Sequence, residues 1–179
     1  RKVNASDFSK KTAELAKANF SLALNGAKFA LSAANLLNSN SIRKLSFKAN
    51  LAIKTPVLKE YLPRKNSYKL RDKNYGFDES VVYFSSCLNR AFAPNKNLND
   101  KRPIQEVFES LCKKAKINVI YPEQIDDICC GKIFTNYPDT KELNRAKNID
   151  ILKEATDDGK YPVVIDHGAC SYELIKSLK

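Results

Sequence analysis

Three short apolar runs, separated by segments with helical spacing, constrain the fold of this chain more than any other feature. The runs are residues 81–84, 118–121 and 162–165, rich in valine, isoleucine and aromatic residues, as expected for strands buried on both faces. Apolar residues recur at helical spacing after each run. This alternation predicts parallel strands joined by right-handed helical crossovers. We therefore expect an α/β fold, a small parallel three-layer sheet with helices on both faces, preceded by an all-helical segment.

The residues before the first run differ from the rest in charge. Residues 1–73 contain 16 Lys/Arg and 4 Asp/Glu, whereas residues 74–179 contain 15 basic and 16 acidic residues. Apolar residues in the first part recur at helical spacing up to Pro56, and the polar stretch that follows is expected to be a linker. We therefore divide the chain into residues 1–75, a basic helical segment and linker, and residues 76–179, one α/β unit.

The positive charge of the first segment allows several partners. Nucleic acid, an anionic membrane surface and an acidic protein are all attracted to such a segment, but a solvated helical surface explains it as well. The segment lacks the recurring aromatic or Gly-Arg pattern of nucleic-acid binders, so we expect no nucleic-acid partner. No apolar run reaches the roughly 20 residues that span a bilayer, and no secretory signal is visible. We expect a cytoplasmic protein, and the start at Arg1 without any methionine suggests a piece of a longer or processed chain.

Four of the five cysteines follow the predicted strands. Cys87 comes after the first run, Cys129 and Cys130 follow the second, and Cys170 follows the third. Because the loops after parallel strands share one edge of a sheet, we expect these four thiols to lie together. Cys112 shares the apolar face of a predicted helix, so we assign it to packing. Four reduced thiols suit a tetrahedral zinc ion or an iron–sulfur cluster.

Residues beside the cysteines leave some alternatives open. His167, the only histidine, precedes Cys170 by three residues, and it could bind the same ion or be a hydrogen-bonded loop residue. A nucleophilic pair of Cys170 and His167 is conceivable, but it would leave the adjacent cysteines unexplained. Gly131 and Gly168 are expected to permit close backbone approach or positive φ. No Gly-x-Gly occurs, which disfavours a dinucleotide-binding loop.

Three sequence motifs resemble those of a known family. Residues 81–87 (VVYFSSC), 129–134 (CCGKIF) and 159–166 (GKYPVVID), followed by Cys170, are similar to one cysteine-rich CCG repeat. The family includes heterodisulfide reductase, anaerobic glycerol-3-phosphate dehydrogenase, glycolate oxidase and lactate-utilisation iron–sulfur proteins. The motifs most resemble the carboxy-terminal region of FAD-linked, iron–sulfur D-lactate dehydrogenases, and the resemblance covers residues 80–179.

The resemblance implies a function and a set of partners. It implies that residues 76–179 are one CCG repeat of a larger oxidoreductase, which passes electrons from a 2-hydroxy acid such as D-lactate through FAD and iron–sulfur centres to an acceptor such as quinone. The implied partners are the flavin and ferredoxin-like modules and a second CCG repeat of the same enzyme, with FAD bound in the upstream part. An anionic membrane surface would make the protein peripheral to the inner membrane. This chain alone would be inactive.

The resemblance also implies the cofactor ligands. An iron–sulfur cluster, or alternatively zinc, would be held by Cys87, Cys129, Cys130 and Cys170, with His167 as a further candidate metal ligand and no residue in a catalytic role. The family often has Cys-x-x-Cys at this point, and His167 occupies the first of those positions. Three alternatives remain, namely a structural zinc domain, a heterodisulfide-reductase-like protein and a basic nucleic-acid-binding module with incidental cysteines.

Overall fold

The structure is a computed structural model that describes residues 7–36, 39–53, 57 and 62–177. The predicted end of the helical pattern before Pro56 lies outside the described residues. The helices are α1 (Asp7–Ala18), α2 (Phe20–Leu36), α3 (Ser39–Ile53), α4 (Cys87–Ala91), α5 (Ile104–Lys114), α6 (Pro138–Ala155) and α7 (Gly168–Ser177). The strands are β1 (Arg64–Lys65), β2 (Glu79–Phe84), β3 (Phe92–Ala93), β4 (Ile117–Ile120) and β5 (Val163–Ile165).

A three-stranded parallel sheet forms the centre of the molecule. Its order is β4-β2-β5, so the first of the three predicted strands lies between the other two. Val82 of the central strand pairs with Ile120 on one side and with Val163 on the other. Helices follow each of these strands, and three helices precede them. The predicted α/β fold class is therefore confirmed.

The two faces of the central strand contact different helices. Val82 and Phe84 belong to a cluster with Leu152 of α6 and Leu174 of α7. Val81 and Tyr83 face the opposite way and pack with Cys112 of α5, in agreement with the assignment of that thiol to packing. Alternate side chains of β2 therefore reach two separate apolar layers, which explains why its sequence is a continuous apolar run.

The polar segment predicted to be a linker lies against the α/β unit. In this segment β1 pairs antiparallel with β3, and the backbone of Lys73 bridges to Val119 beside the parallel sheet. Asn66 is buried and donates its amide to the carbonyl of Asn89 and to Gln105 Oε1. At least one polar side chain of this segment, Asn66, thus satisfies buried hydrogen bonds of the α/β unit.

The amino-terminal helices present one buried and one exposed apolar face. The break between α1 and α2 falls at Asn19, and Gly26 lies inside α2. Ala13 and Phe20 are buried against the α/β unit. On the outer side, apolar residues recur every seven positions and form a stripe whose side chains are 65–87% exposed. The stripe comprises Leu15, Leu22, Phe29 and Leu36. Within the described residues, no helix combines the length and the apolar character needed to cross a bilayer.

Candidate thiol site

The structure brings Cys87, Cys129, Cys130 and Cys170 to the edge of the sheet where the parallel strands end. Cys87 begins α4 directly after β2, and Cys170 lies in the first turn of α7 after β5. Cys129 and Cys130 follow β4 and lie between two short 3₁₀ helices. The charges of Cys130, Cys129 and Cys170 each interact with that of Cys87. The chain topology alone therefore predicts which thiols meet.

Cys130 and Cys170 lie in the same buried cluster, together with Val82 and Phe84 of the central strand. The interaction of the Cys130 sulfur with the Cys170 thiol, helped by the backbone N–H of Lys132, lowers the pKa of Cys130 to about 6 against the opposing effect of burial. The same interaction, together with burial, raises the pKa of Cys170. These opposite shifts favour a thiolate at Cys130 beside a protonated Cys170.

The other two thiols are held in their protonated form. Burial raises the pKa of Cys129 to about 12, although the N–H of Gly131 donates to its sulfur at 3.4 Å. Burial also raises the pKa of Cys87, and the positive charge of Arg90 offsets part of that effect. Since the thiolate is the reactive form of cysteine, the lowered pKa makes Cys130 the most readily ionised of these four thiols.

Two asparagines of α6 hold the cysteine turn in place. Asn144 and Asn148 both donate their amides to the carbonyl of Cys129, at 3.0 and 2.7 Å. Gly131 has a φ of 88°, and a Cβ there would lie 3.1 Å from Asn144 Nδ2, so a side chain would be strained on two grounds. The expectation for Gly131 is therefore met, whereas Gly168 has neither a positive φ nor a close neighbour.

Arg90 supplies a buried positive charge behind the cysteines. Its side chain is 1% exposed, Nη1 donates to the carbonyl of Ile125, and Nη2 donates to that of Ile128. Both carbonyls belong to the loop that leads into Cys129. Burial lowers the pKa of Arg90, but a guanidinium stays charged in a protein. Arg90 therefore fixes the loop and places positive charge near the Cys87 and Cys129 sulfurs.

Asp166 joins the ends of two neighbouring strands. One carboxylate oxygen accepts from the hydroxyls of Tyr83 at 2.9 Å and Ser85 at 3.1 Å, and the other accepts from the N–H of Ser86 at 2.8 Å. Ser86 is also the N-cap of the helix that begins at Cys87. These contacts fix the spacing between the loop that carries Cys87 and the loop that leads to Cys170.

His167 lies beside the site without joining a ligand group. Its Nδ1 atom is buried and has no hydrogen-bond partner among the described residues. Its backbone carbonyl accepts from the N–H of Ser171 at 3.0 Å in the first turn of α7. The structure therefore supports neither a ligand role nor a role as general base for His167, and both remain predictions.

Sequence reasoning missed the residues that support the thiols. Asn144 and Asn148 are buried on α6, whereas Leu143 and Ala146 of the same helix are exposed although they are apolar. The sequence did contain one signal for them, because the two asparagines have the i, i+4 spacing of neighbours on one helix face. Arg90 lies on α4, a one-turn helix that Ser86 could have indicated as a cap residue.

Cysteine sulfurs are suitable ligands for an iron–sulfur cluster or a zinc ion, but the described side chains are not arranged as a complete metal site. Four cysteine sulfurs form the ligand set of iron–sulfur clusters and of many zinc sites. Among residues 7–36, 39–53, 57 and 62–177, no three His, Cys, Asp or Glu side chains form a group able to hold a metal ion. Binding of a metal would require these cysteine side chains to move closer together than the structure places them.

No protein-family model, no curated protein and no solved structure matches this chain significantly. A function can therefore be inferred only from the geometry of the thiols and from the resemblance of the motifs that carry them.

Proposed function

We propose that this chain is a thiol-redox and electron-transfer domain of a flavin and iron–sulfur 2-hydroxy-acid dehydrogenase of the D-lactate type. The observation that supports this proposal is the placement of four cysteines at one edge of the sheet, with Cys130 and Cys170 in one buried cluster. Flavin and ferredoxin-like modules, and a second repeat of the same kind, would be its partners. On its own the chain would not oxidise the hydroxy acid, because its candidate site consists of thiols and the flavin would be bound by another module.

The chain's own residues support a two-electron thiol step. Oxidation joins the Cys130 and Cys170 sulfurs in one S–S bond, releases the single proton that the pair shares, and delivers two electrons to an acceptor of the flavin or quinone class. The backbone N–H of Lys132 stabilises negative charge on the Cys130 sulfur in the reduced pair. Asp166, Asn144 and Asn148 hold the two loops at a fixed spacing.

An iron–sulfur cluster bound by Cys87, Cys129, Cys130 and Cys170 would supply one-electron transfer at the same place. The buried guanidinium of Arg90 and the backbone donors would then offset the negative charge of the four thiolates. A structural zinc ion on the same sulfurs is the second candidate, and it is favoured by the same set of four donors.

Metal analysis and peptide mapping of the full chain test this proposal. Protein purified without oxygen is assayed for iron, sulfide and zinc, equilibrated with glutathione redox buffers, and digested without reductant. We expect either iron with sulfide, lost on Cys130→Ser, or a reversible Cys130–Cys170 disulfide. The control Cys112→Ser should change neither result, because Cys112 lies in a different apolar layer. Stoichiometric zinc without redox change would replace the proposal with the structural alternative, and absence of both metal and disulfide would overturn it.

A further inference from the structure

A cavity reached by Arg90 has four basic residues among the ten that line it. The cavity has a volume of about 360 Å³, within the range of small-molecule sites. Its charged lining consists of Lys28, Lys69, Arg71 and Arg90, opposed only by Asp126 among the described lining residues. The cavity therefore concentrates positive charge in a space suited to a compact ligand.

The positive charge of the buried Arg90 guanidinium is only partly balanced by neighbouring groups. Its Nε atom is buried and has no hydrogen-bond partner among the described residues. The nearest carboxylate, that of Asp126, lies 3.7 Å from Nη1 and is 63% exposed, so water weakens its effect. A buried charge of this kind is costly unless an anion pairs with it. A bound anion in the cavity would provide that charge.

The other cations of the cavity are available for a ligand. Lys28, Lys69 and Arg71 form no ion pair within the part of the chain that the structure describes. They come from two separate segments, because Lys28 belongs to α2 while Lys69 and Arg71 belong to the extended stretch after β1. Their convergence on Arg90 is thus produced by the fold and is absent from the linear sequence.

We propose that this cavity binds a small oxyanion with two or more negative charges, of the phosphate-ester class. Mixed guanidinium and ammonium groups match the tetrahedral oxygens of phosphate, and arginine adds paired donors. The buried amide side chain of Gln105 also lines the cavity. The cavity shares Arg90 with the thiol site, whereas Lys28, Lys69 and Arg71 belong to the cavity alone.

Binding of inorganic pyrophosphate to the full chain tests this proposal, measured by calorimetry and by the shift of Tm at constant ionic strength. The double variant Lys69→Gln/Arg71→Gln should weaken the affinity about tenfold or more, since two charge-assisted contacts are lost. The control Lys10→Gln/Lys11→Gln removes the same charge from exposed positions on α1 and should change the affinity less than about twofold. Asp126→Asn should strengthen binding, because it removes the opposing carboxylate.

Two results would overturn the anion site. One is the absence of saturable pyrophosphate binding to the wild-type chain. The other is equal weakening in the cavity variant and the α1 control, which would indicate nonspecific attraction to a basic protein. Metal content and disulfide formation are measured separately, so failure of this site and failure of the thiol function give different results.

Discussion

Cys129 is positioned through its backbone at least as firmly as through its sulfur. Two side-chain amides from α6 converge on its carbonyl oxygen, and the N–H of Gly131 returns to its sulfur. The neighbouring Cys130 is therefore presented to Cys170 by a turn with little freedom. Because the backbone sets the distance between Cys130 and Cys170, their sulfurs can approach and separate without a rearrangement of the core.

Asn144→Ala tests the anchoring of the cysteine turn. The variant removes one of two donors to the Cys129 carbonyl, and we expect a loss of about 1–3 kcal/mol in the free energy of unfolding, measured by urea denaturation. Leu143→Ala changes the preceding residue of the same helix, which is 59% exposed, and should cost less than about 1 kcal/mol. Equal losses would show that Asn144 contributes only to helix stability.

The alkylation rate of Cys130 should depend on pH in a characteristic way. In reduced, metal-free protein the thiolate forms as pH rises through the lowered pKa of about 6, so iodoacetamide labelling should reach half its maximum near pH 6. Cys170→Ala removes the main cause of the low pKa and should move the half-maximum to higher pH. Labelling is followed by mass spectrometry of the Cys130 peptide, and an unchanged midpoint in Cys170→Ala would contradict the pairing.

Among the elements, the strands are easier to predict from sequence than the helices. The strands β2, β4 and β5 are short apolar runs, so their sequences carry a clear signal, and strand order then brings Cys87 and Cys170 to one edge. In α6 the apolar spacing indicates Leu152, which is buried, but also Leu143, which is exposed, because the helix buries Asn144 and Asn148 against the backbone of a distant loop. The spacing of apolar residues does not indicate which polar side chains bind the backbone of another loop.

Gly131 and Gly168 form a matched pair for testing the turn that carries the thiols. Gly131→Ala places a side chain at positive φ and 3.1 Å from an amide nitrogen, so we expect a loss of about 1–3 kcal/mol of stability. Gly168→Ala meets no atom within 4 Å and has an ordinary φ, so its effect should be neutral or slightly stabilising. Thermal and urea unfolding distinguish the two, and similar effects would mean that the turn tolerates a side chain.

At the scale of the whole molecule, the amino-terminal helices and the α/β unit form one packed structure. Ala13 and Phe20 share an apolar cluster with Cys129 and Phe134, and α2 contacts α4 and β1. The charge difference between the two parts of the sequence gives no sign of this packing. Buried contacts between distant segments depend on the complete fold and could not be read from local pattern.

The two faces of α1 and α2 should respond differently to substitution. Phe20→Ala empties a buried position beside Cys129 and should lower stability by about 3–5 kcal/mol. Phe29→Gln changes a ring that is 76% exposed, so stability should change little while binding of a hydrophobic dye falls. Urea denaturation and dye fluorescence measure the two effects, and a large loss of stability in Phe29→Gln would show that the stripe is covered.

The position of Phe20 has a consequence for how the sulfurs meet their surroundings. The aromatic ring packs in the cluster that contains Cys129 and also lies 5.8 Å from the Arg90 guanidinium, so an amino-terminal helix shields both the thiol and its nearest cation. Access of dissolved oxidants to Cys129 therefore depends in part on residues far upstream of the cysteines in sequence. We expect removal of this helix to increase the exposure of the Cys129 sulfur to oxidants.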